Sequence, residues 1–515
     1  MATIKRSQDF GSSPFQCWVC MEQYLKEATG SNQNVTKVQN SNKNYQLILP
    51  STQMSLGTIF EKEDDEKEVN MARNSKTPSI VCRRCKMQRY CSRNHMTKDL
   101  CQHRAICVVL TDLQKRHQLG HPFLLTSPKA ISSITQLQRT ISQLKFSARI
   151  KLRRPLTWRE HELIGYPSYC QVCFRLDKLH TCGECGAVAY CSEHHRQSDV
   201  SKHTPEVCRT LALLCSPYRQ LGDANKGIID IPIKVEADQL QLCLEQSHLI
   251  EAFAKVTGLV VDDKPWSTIQ DFERFDSCSS FSGMASICLA LKHISFVAQP
   301  QDICTVYVVG ASDGQILRYF QLMHLKFFFL LHKDVSQLDL CFIGCQQKMV
   351  KDKTRETISF DFQGHKRTIT IHFYPMTFED FTHMEKVDPV LIVMFDIDFG
   401  DLYAIKDRIV EKFLPEQTLE RESHDWRKCL TEVLHVYGVP ICFTSSTKAL
   451  TKSNYTSILQ LANKHNIKVN YCHGGNLYEN PYREILPERN QCPMDCETII
   501  YANNYLEVIF TGPKN

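Results

Sequence analysis

No stretch of the 515 residues runs the roughly 18–20 uncharged apolar positions that a membrane-crossing helix needs, so no membrane partner is expected. Residues 1–10 are polar, which predicts no secretory signal. A mitochondrial presequence is poorly supported too, since Lys5 and Arg6 are the only basic residues before Cys17 and Asp9 accompanies them. The net charge of +5 is too small for this length to give the whole chain a polyanion-binding role. Hydrolase signatures are missing as well. No serine stands in a GxSxG elbow, and His161-Glu162 lacks the second histidine of a zinc-protease helix.

Cysteine, by contrast, is plentiful at 25 residues. Cys170, Cys173, Cys182, Cys185, Cys191, His195, His203 and Cys208 make four pairs of soft or borderline donors. Eight such donors suffice for two tetrahedral zinc ions with no open position, and a closed site of this kind is structural. The same set recurs upstream as Cys17, Cys20, Cys82, Cys85, Cys91, His95, His103 and Cys107, so four structural zinc ions are expected. A CxxC pair offers two thiolates from one tight turn, which Gly183 or Gly186 eases. Cys91/His95, Cys191/His195 and His103/Cys107 are four apart, so a helical turn puts each pair on one face. His203 and Cys208 are five apart with Pro205 between them, which predicts a distorted last turn. Spacing alone leaves open which pairs share an ion. These segments hold little apolar sequence, so metal binding and folding should be one event, worth on the order of 10–16 kcal/mol. The remaining cysteines, among them Cys278, Cys288, Cys304, Cys341 and Cys442, lie in apolar runs and read as reduced core residues of a nuclear or cytoplasmic protein.

Both cysteine-rich segments resemble MYND zinc fingers, whose pattern runs CxxC, CxxC, YCSxxC, an aspartate and HxxxC. The matching residues are Cys85, Tyr90-Cys91-Ser92, His95, Asp99, His103 and Cys107, and again Cys185, Tyr190-Cys191-Ser192, His195, Asp199, His203 and Cys208. Histidine replaces the usual sixth cysteine in both. The resemblance implies interleaved sites: Cys17, Cys20, Cys91 and His95 with Cys82, Cys85, His103 and Cys107, then Cys170, Cys173, Cys191 and His195 with Cys182, Cys185, His203 and Cys208. It also implies binding of short extended or helical peptides from partner proteins, often in transcriptional co-repression. The family's groove-forming Gln and Trp are replaced by Met96 and Leu100, and by Arg196 and Val200, which argues against a standard PxLxP ligand. Some relatives are SET-domain methyltransferases, but neither the NHSCxPN-like nor the GEEL-like stretch is present.

In chain order, residues 15–108 form the first finger, interrupted at 21–81 by a disordered insertion with a Ser/Asn/Gln-rich start and an acidic run over 61–68. Residues 109–165 are a basic linker. Its amphipathic helix is predicted to start at Ser127-Pro128 and to carry Ile131, Ile134, Leu137, Ile141 and Leu144 on one stripe. Arg149, Lys151, Arg153 and Arg154 make the linker a candidate contact to RNA, DNA or an acidic partner, although packing on a finger or on the C-terminal domain is the simpler expectation. The second finger spans 166–210, and a helical bridge spans 211–300, with Leu240, Leu242, Cys243, Leu249, Ile250, Ile287, Leu289 and Leu291 as its apolar residues.

Over 301–515 apolar strands alternate with helices. Candidates are Val306–Val309, Leu338–Ile343, Thr368–Phe373, Val390–Phe395, Val439–Thr444, Ile467–Tyr471 and Tyr505–Phe510. The pattern predicts a mainly parallel, Rossmann-like α/β sheet. Its first turn, Gly310-Ala-Ser-Asp-Gly314, lacks the closely spaced glycines of a cofactor site, and Gly344 stands where a ribose-binding acid belongs, so a tight structural turn is expected. Asp396, Asp398 and Asp401 are expected to cap a strand end. Cys472, His473, Cys492 and Cys496 match no zinc spacing. The ordered series VVGA, FIG, VPICFTSS, Glu479-Asn480-Pro481-Tyr482 and Tyr501-Ala-Asn-Asn-Tyr505 resembles the C-terminal domain of MYND proteins related to the yeast mitochondrial splicing suppressor.

Taken together, these features predict two structural zinc fingers and a catalytically silent α/β domain in a protein-interaction adaptor, set in gene regulation by the MYND resemblance. An RNA-linked or mitochondrial expression role is the second reading. Methyl transfer on the α/β domain is the third.

Overall fold

The computed structural model describes residues 17–20, 80–126, 130–216, 249–257, 269–297, 302–345, 347, 355–384, 388–399, 426–490, 497 and 499–514. Of the disordered insertion expected over 21–81, residues 21–79 lie outside them while Ile80–Val81 form a strand; Ser127-Pro128, Leu240, Leu242, Cys243, Asp401, Cys492 and Cys496 also lie outside. Two compact units emerge, one within residues 8–226 and the other from 227–408 with 418–515.

In the first unit, β1 (Ile80–Val81) pairs antiparallel with β2 (Arg89–Tyr90). Helix α1 (Arg93–Arg116) follows, capped by the Ser92 hydroxyl, which accepts the His95 N–H at 3.2 Å. It is long enough to carry His95, His103 and Cys107 together. Helix α2 (Ile134–Leu152) starts at the Ser133 cap, not at Ser127-Pro128. The reason is local: Ser133 Oγ accepts the Gln136 N–H at 3.2 Å, while Ile131 is buried ahead of the helix and Ile134 is 40% exposed. Helix α3 (Trp158–Gly165) opens on a capping box between Thr157 and Glu160.

These linker helices are part of the finger's core. Leu137, Leu144, Ala148 and Ile164 pack in one cluster with Cys85, Tyr90, Ile106, Leu110, Leu113 and Phe123. The finger supplies too little apolar surface to close a core, and α2 and α3 add the missing face. Linker charge is largely engaged nearby: Lys151 pairs with Asp112, and Arg154 meets both oxygens of Glu160 at 2.7 Å. The second finger repeats the hairpin in β3 (His180–Thr181) and β4 (Ala189–Tyr190), followed by α4 (Glu193–Ser198) and α5 (Pro205–Leu214).

The second unit contributes α6 (Leu249–Thr257), α7 (Ile269–Ser280) and α8 (Ser282–His293) before its sheet. Next come β5 (Asp302–Val309), α9 (Asp313–Tyr319), α10 (Leu322–Leu331), β6 (Val335–Ile343), β7 (Arg355–Phe362) and β8 (His365–Tyr374). The remainder is α11 (Phe378–Thr382), β9 (Leu391–Met394), α12 (Trp426–Leu434), β10 (Ile441–Ser445), α13 (Lys448–Lys464), β11 (Ile467–Tyr471), a small pair β12 (Glu488–Arg489) and β13 (Ile499–Ile500), and β14 (Tyr505–Pro513). Eight described strands form one sheet in the order β11-β14-β10-β9-β5-β6-β8-β7.

Every expected strand is present, but the sheet is mixed. The run β10-β9-β5-β6-β8 is parallel, whereas β14 lies antiparallel between β10 and β11, and β7 pairs antiparallel with β8. Strand β7 has no counterpart among the expected strands. Its Ile358, Phe360 and Phe362 alternate with polar residues, and Gln363 and Gly364, at φ 51° and 77°, make the two-residue hairpin turn; that was the available signal.

Both faces of the sheet are covered. Tyr307, Val309, Ile343, Ile392, Met394 and Phe443 meet α11, α12 and α13 through Phe381, Leu430, Val433 and Ile458. The alternate residues Val306, Val308, Leu340 and Phe342 are also buried, and α8, buried from Ser282 to Leu291, packs against α10 and β14.

His324 on α10 is fully buried, with Nε2 3.0 Å from Ser280 Oγ and the Phe281 ring edge-on at 4.6 Å. Burial pushes its pKa down to about 3, so it stays neutral when folded while the unfolded residue takes a proton near 6.5. The unfolded chain therefore binds more protons below pH 6.5, and stability falls as pH drops from there toward 3. The stability lost between pH 7 and 5 should be smaller by about 2 kcal/mol in His324→Phe, read by hydrogen exchange over residues 302–345. An equal loss in variant and parent would show that His324 is not held neutral.

Candidate metal centres

The structure gathers the sixteen candidate donors into four groups: Cys17, Cys20, Cys91 and His95; Cys82, Cys85, His103 and Cys107; Cys170, Cys173, Cys191 and His195; Cys182, Cys185, His203 and Cys208. Within each, the donor atoms lie within 4.8 Å of one another. This is the interleaving that the MYND resemblance implies, and the chain path explains it. Each hairpin carries a CxxC at one end and the Tyr-Cys-Ser step at the other, so its two ends face different ions.

The distances suit zinc. A tetrahedral site with Zn–S near 2.3 Å has S–S edges of about 3.8 Å. Cys82–Cys107 and Cys182–Cys208 both measure 3.8 Å, Cys173–Cys191 3.5 Å, and Cys85 Sγ to His103 Nε2 3.4 Å. The outer group of the first finger is tighter, with Cys20 Sγ 3.2 Å from both Cys91 Sγ and His95 Nδ1. Protonation fits as well. Cys185 and nearby backbone N–H groups hold the Cys182 thiol down to about 4. Burial first, then the neighbouring thiols, pushes Cys173 and Cys208 up to about 11 and Cys85 far above its usual range for its thiol neighbours. Thiols packed this closely cannot all ionise alone, and a dication supplies the missing positive charge. Four Cys/His zinc sites with no open position are thus present, consistent with structural zinc.

His203 and Cys208 differ from the expected distorted turn. No helical turn joins them: α4 ends at Ser198, His203 N–H bonds the Asp199 carbonyl at 2.8 Å, and α5 begins at Pro205 behind the Thr204 cap. Proline at the first helical position starts a new helix in place of bending the old one. The donors still converge, with Cys185 Sγ 3.9 Å from His203 Nε2. In both fingers the patterned tyrosine and aspartate bond each other, Tyr90 Oη to Asp99 and Tyr190 Oη to Asp199, each at 2.9 Å. That bond ties the hairpin to the helix and is invisible in spacing rules for metal ligands.

The MYND finger family model matches residues 70–107 and 170–208. The chain carries two MYND fingers. The first match leaves out Cys17 and Cys20, which the fold returns to Cys91 and His95 from across the insertion. No curated protein matches the chain. The crystal structure of PH0851 aligns with 82% of this chain and 90% of its own at 10% identity, with a TM-score of 0.24.

Among the described residues, the members of the other candidate sets are engaged in other contacts. Asp396 Oδ1 accepts the Asn503 N–H at 2.9 Å, and its own N–H donates to Thr444, so it ties strand ends together. His473 Nδ1 lies 3.0 Å from the buried Glu507 carboxylate, while Cys472 is exposed. At the first turn of the sheet Ser312 caps α9, and Gln315 completes the box and donates to the Phe395 carbonyl at 3.2 Å. Gly344 is required by the fold, because a Cβ there would collide with the Ala311 carbonyl.

Proposed function

We propose that this chain is a non-enzymatic adaptor, in which two MYND fingers hold short peptide segments of partner proteins and the Rossmann-like α/β unit offers a second surface. The single observation that carries this reading is the closure of all four Cys/His groups, which leaves no coordination position for substrate. Support also comes from the sheet. Open α/β sheets bind ligands where the strand order reverses, here between β5 and β9. In this chain Gln315, Asp396 and Asn503 span that crevice, and Asn503 reaches Ser282 of α8 at 3.0 Å. A cofactor would have to displace the chain's own hydrogen bonds. The MYND resemblance favours gene regulation in the nucleus or cytoplasm, with co-repression as the setting, and the C-terminal unit is read as akin to the splicing-suppressor group.

A tagged pull-down from cell extract tests the reading: capture of partners should be lost with Cys182→Ser and survive RNase. Loss on RNase treatment would move the role to RNA through the linker. With S-adenosylmethionine, NAD or ATP the full chain should show no thermal shift; a ligand at 100 times its Kd would add about 2.7 kcal/mol. A saturable shift would restore the enzyme reading.

A further inference from the structure

The two fingers share a Tyr–Asp bond, yet what covers it differs. In the first finger the other oxygen of Asp99 takes the Arg159 guanidinium of α3 at 2.5 Å. That guanidinium also lies 5.1 Å over the ring of Trp18, inside the Cys17–Cys20 turn. Helix α3 thus seals the turn and the carboxylate together, and Trp18 is only 5% exposed. In the second finger Asp199 is also buried, at 7% exposure against 3% for Asp99, but its side chain bonds only Tyr190 Oη among the described residues. The adjoining turn is bare: Val172 is 37% exposed, and Cys173 is exposed where its counterpart Cys20 is half-buried.

Asp199 lacks the second donor that Arg159 gives Asp99, and the first finger shows within the same chain what donor that geometry accepts. We propose that this face of the second finger docks an arginine-bearing helix of a partner protein, its guanidinium on Asp199 and its apolar side against the Cys170–Cys173 turn. The proposal rests on the adaptor reading and specifies its ligand. Gln171 stands where the first finger has Trp18, so the visiting arginine meets no ring and the contact is expected to be weaker than that of α3.

The probe is the acetylated, amidated peptide of residues 153–168, fluorescently labelled and titrated with the zinc-loaded full chain. Saturable binding is expected. Asp199→Asn preserves an acceptor for Tyr190 and every zinc ligand, and should weaken binding by about tenfold, the size of a charge-assisted hydrogen bond. Arg159→Gln in the peptide should do the same. Val172→Lys, an exposed change beside the turn, should also weaken it, which guards against a folding defect in the first variant; zinc content should stay at four in both. No saturable binding, or binding indifferent to both chain variants, would overturn the proposal. Concentration-dependent dimerisation abolished by Asp199→Asn would overturn the choice of occupant, because a second copy would then supply the helix. A failed peptide titration beside a pull-down that still depends on Cys182 rejects this site alone, whereas a pull-down indifferent to Cys182→Ser rejects the adaptor reading.

Discussion

Cys85→Ser is expected to lower the zinc content from four to two and to unfold residues 80–165, with the α/β unit intact. Cys85 is fully buried and lies in the cluster that holds Tyr90, Leu110, Leu137 and Ile164. Helix α1 carries His103 and Cys107 for the Cys85 group and His95 for the other, so loss of one ion releases donors of both. A structural zinc contributes on the order of 10–16 kcal/mol, more than the whole stability of most domains. Cys182→Ser should likewise remove two ions but spare residues 80–165, because the core around Leu110 is formed by the first finger and the linker helices. Elemental analysis and segment-resolved hydrogen exchange check both. Protected α2 and α3 in Cys85→Ser would show that the linker folds without the metal.

Gly344→Val should destabilise the α/β unit by about 3 kcal/mol or more, a fall in Tm of roughly 6–12 °C for a unit of this size. The neighbour that a Cβ would strike is backbone. The Gly310 and Ala311 N–H groups bond the Ile343 carbonyl at 2.7 and 3.3 Å, so the Ala311 carbonyl cannot withdraw without opening the turn after β5. Gly314→Ala is the counterpart: nothing lies within 4 Å of its Cβ, and it sits in the first turn of α9. It should be neutral or stabilising by up to about 1 kcal/mol. Were Gly314→Ala the more damaging change, the turn would be reserved for something other than packing.

The contrast between those two glycines shows where sequence reading stopped. Gly344 looked like a missing acid, and only the meeting of β6 with the turn after β5 shows why a side chain is forbidden there. The His203–Cys208 pair is similar. Proline between two donors reads as a distortion, but with the Thr204 cap available it starts a fresh helix, and the loop brings His203 back to Cys185.

The donors themselves were legible because zinc ligation is written in short spacings: a CxxC turn and an i, i+4 helical pair bring ligands together before any tertiary contact forms. The buried strands were legible for the same reason, as apolar runs between turn residues. Partnership was not. Spacing left the sharing of ions open, and only the MYND resemblance implied that Cys17 and Cys20 close on Cys91 and His95; that α2 and α3 complete the first finger's core, that β14 enters the sheet reversed and that Asn503 joins Ser282 depend on surfaces meeting from far along the chain. Such contacts are selected by shape and by the need to pair buried polar groups, and neither has a period that a linear sequence can display.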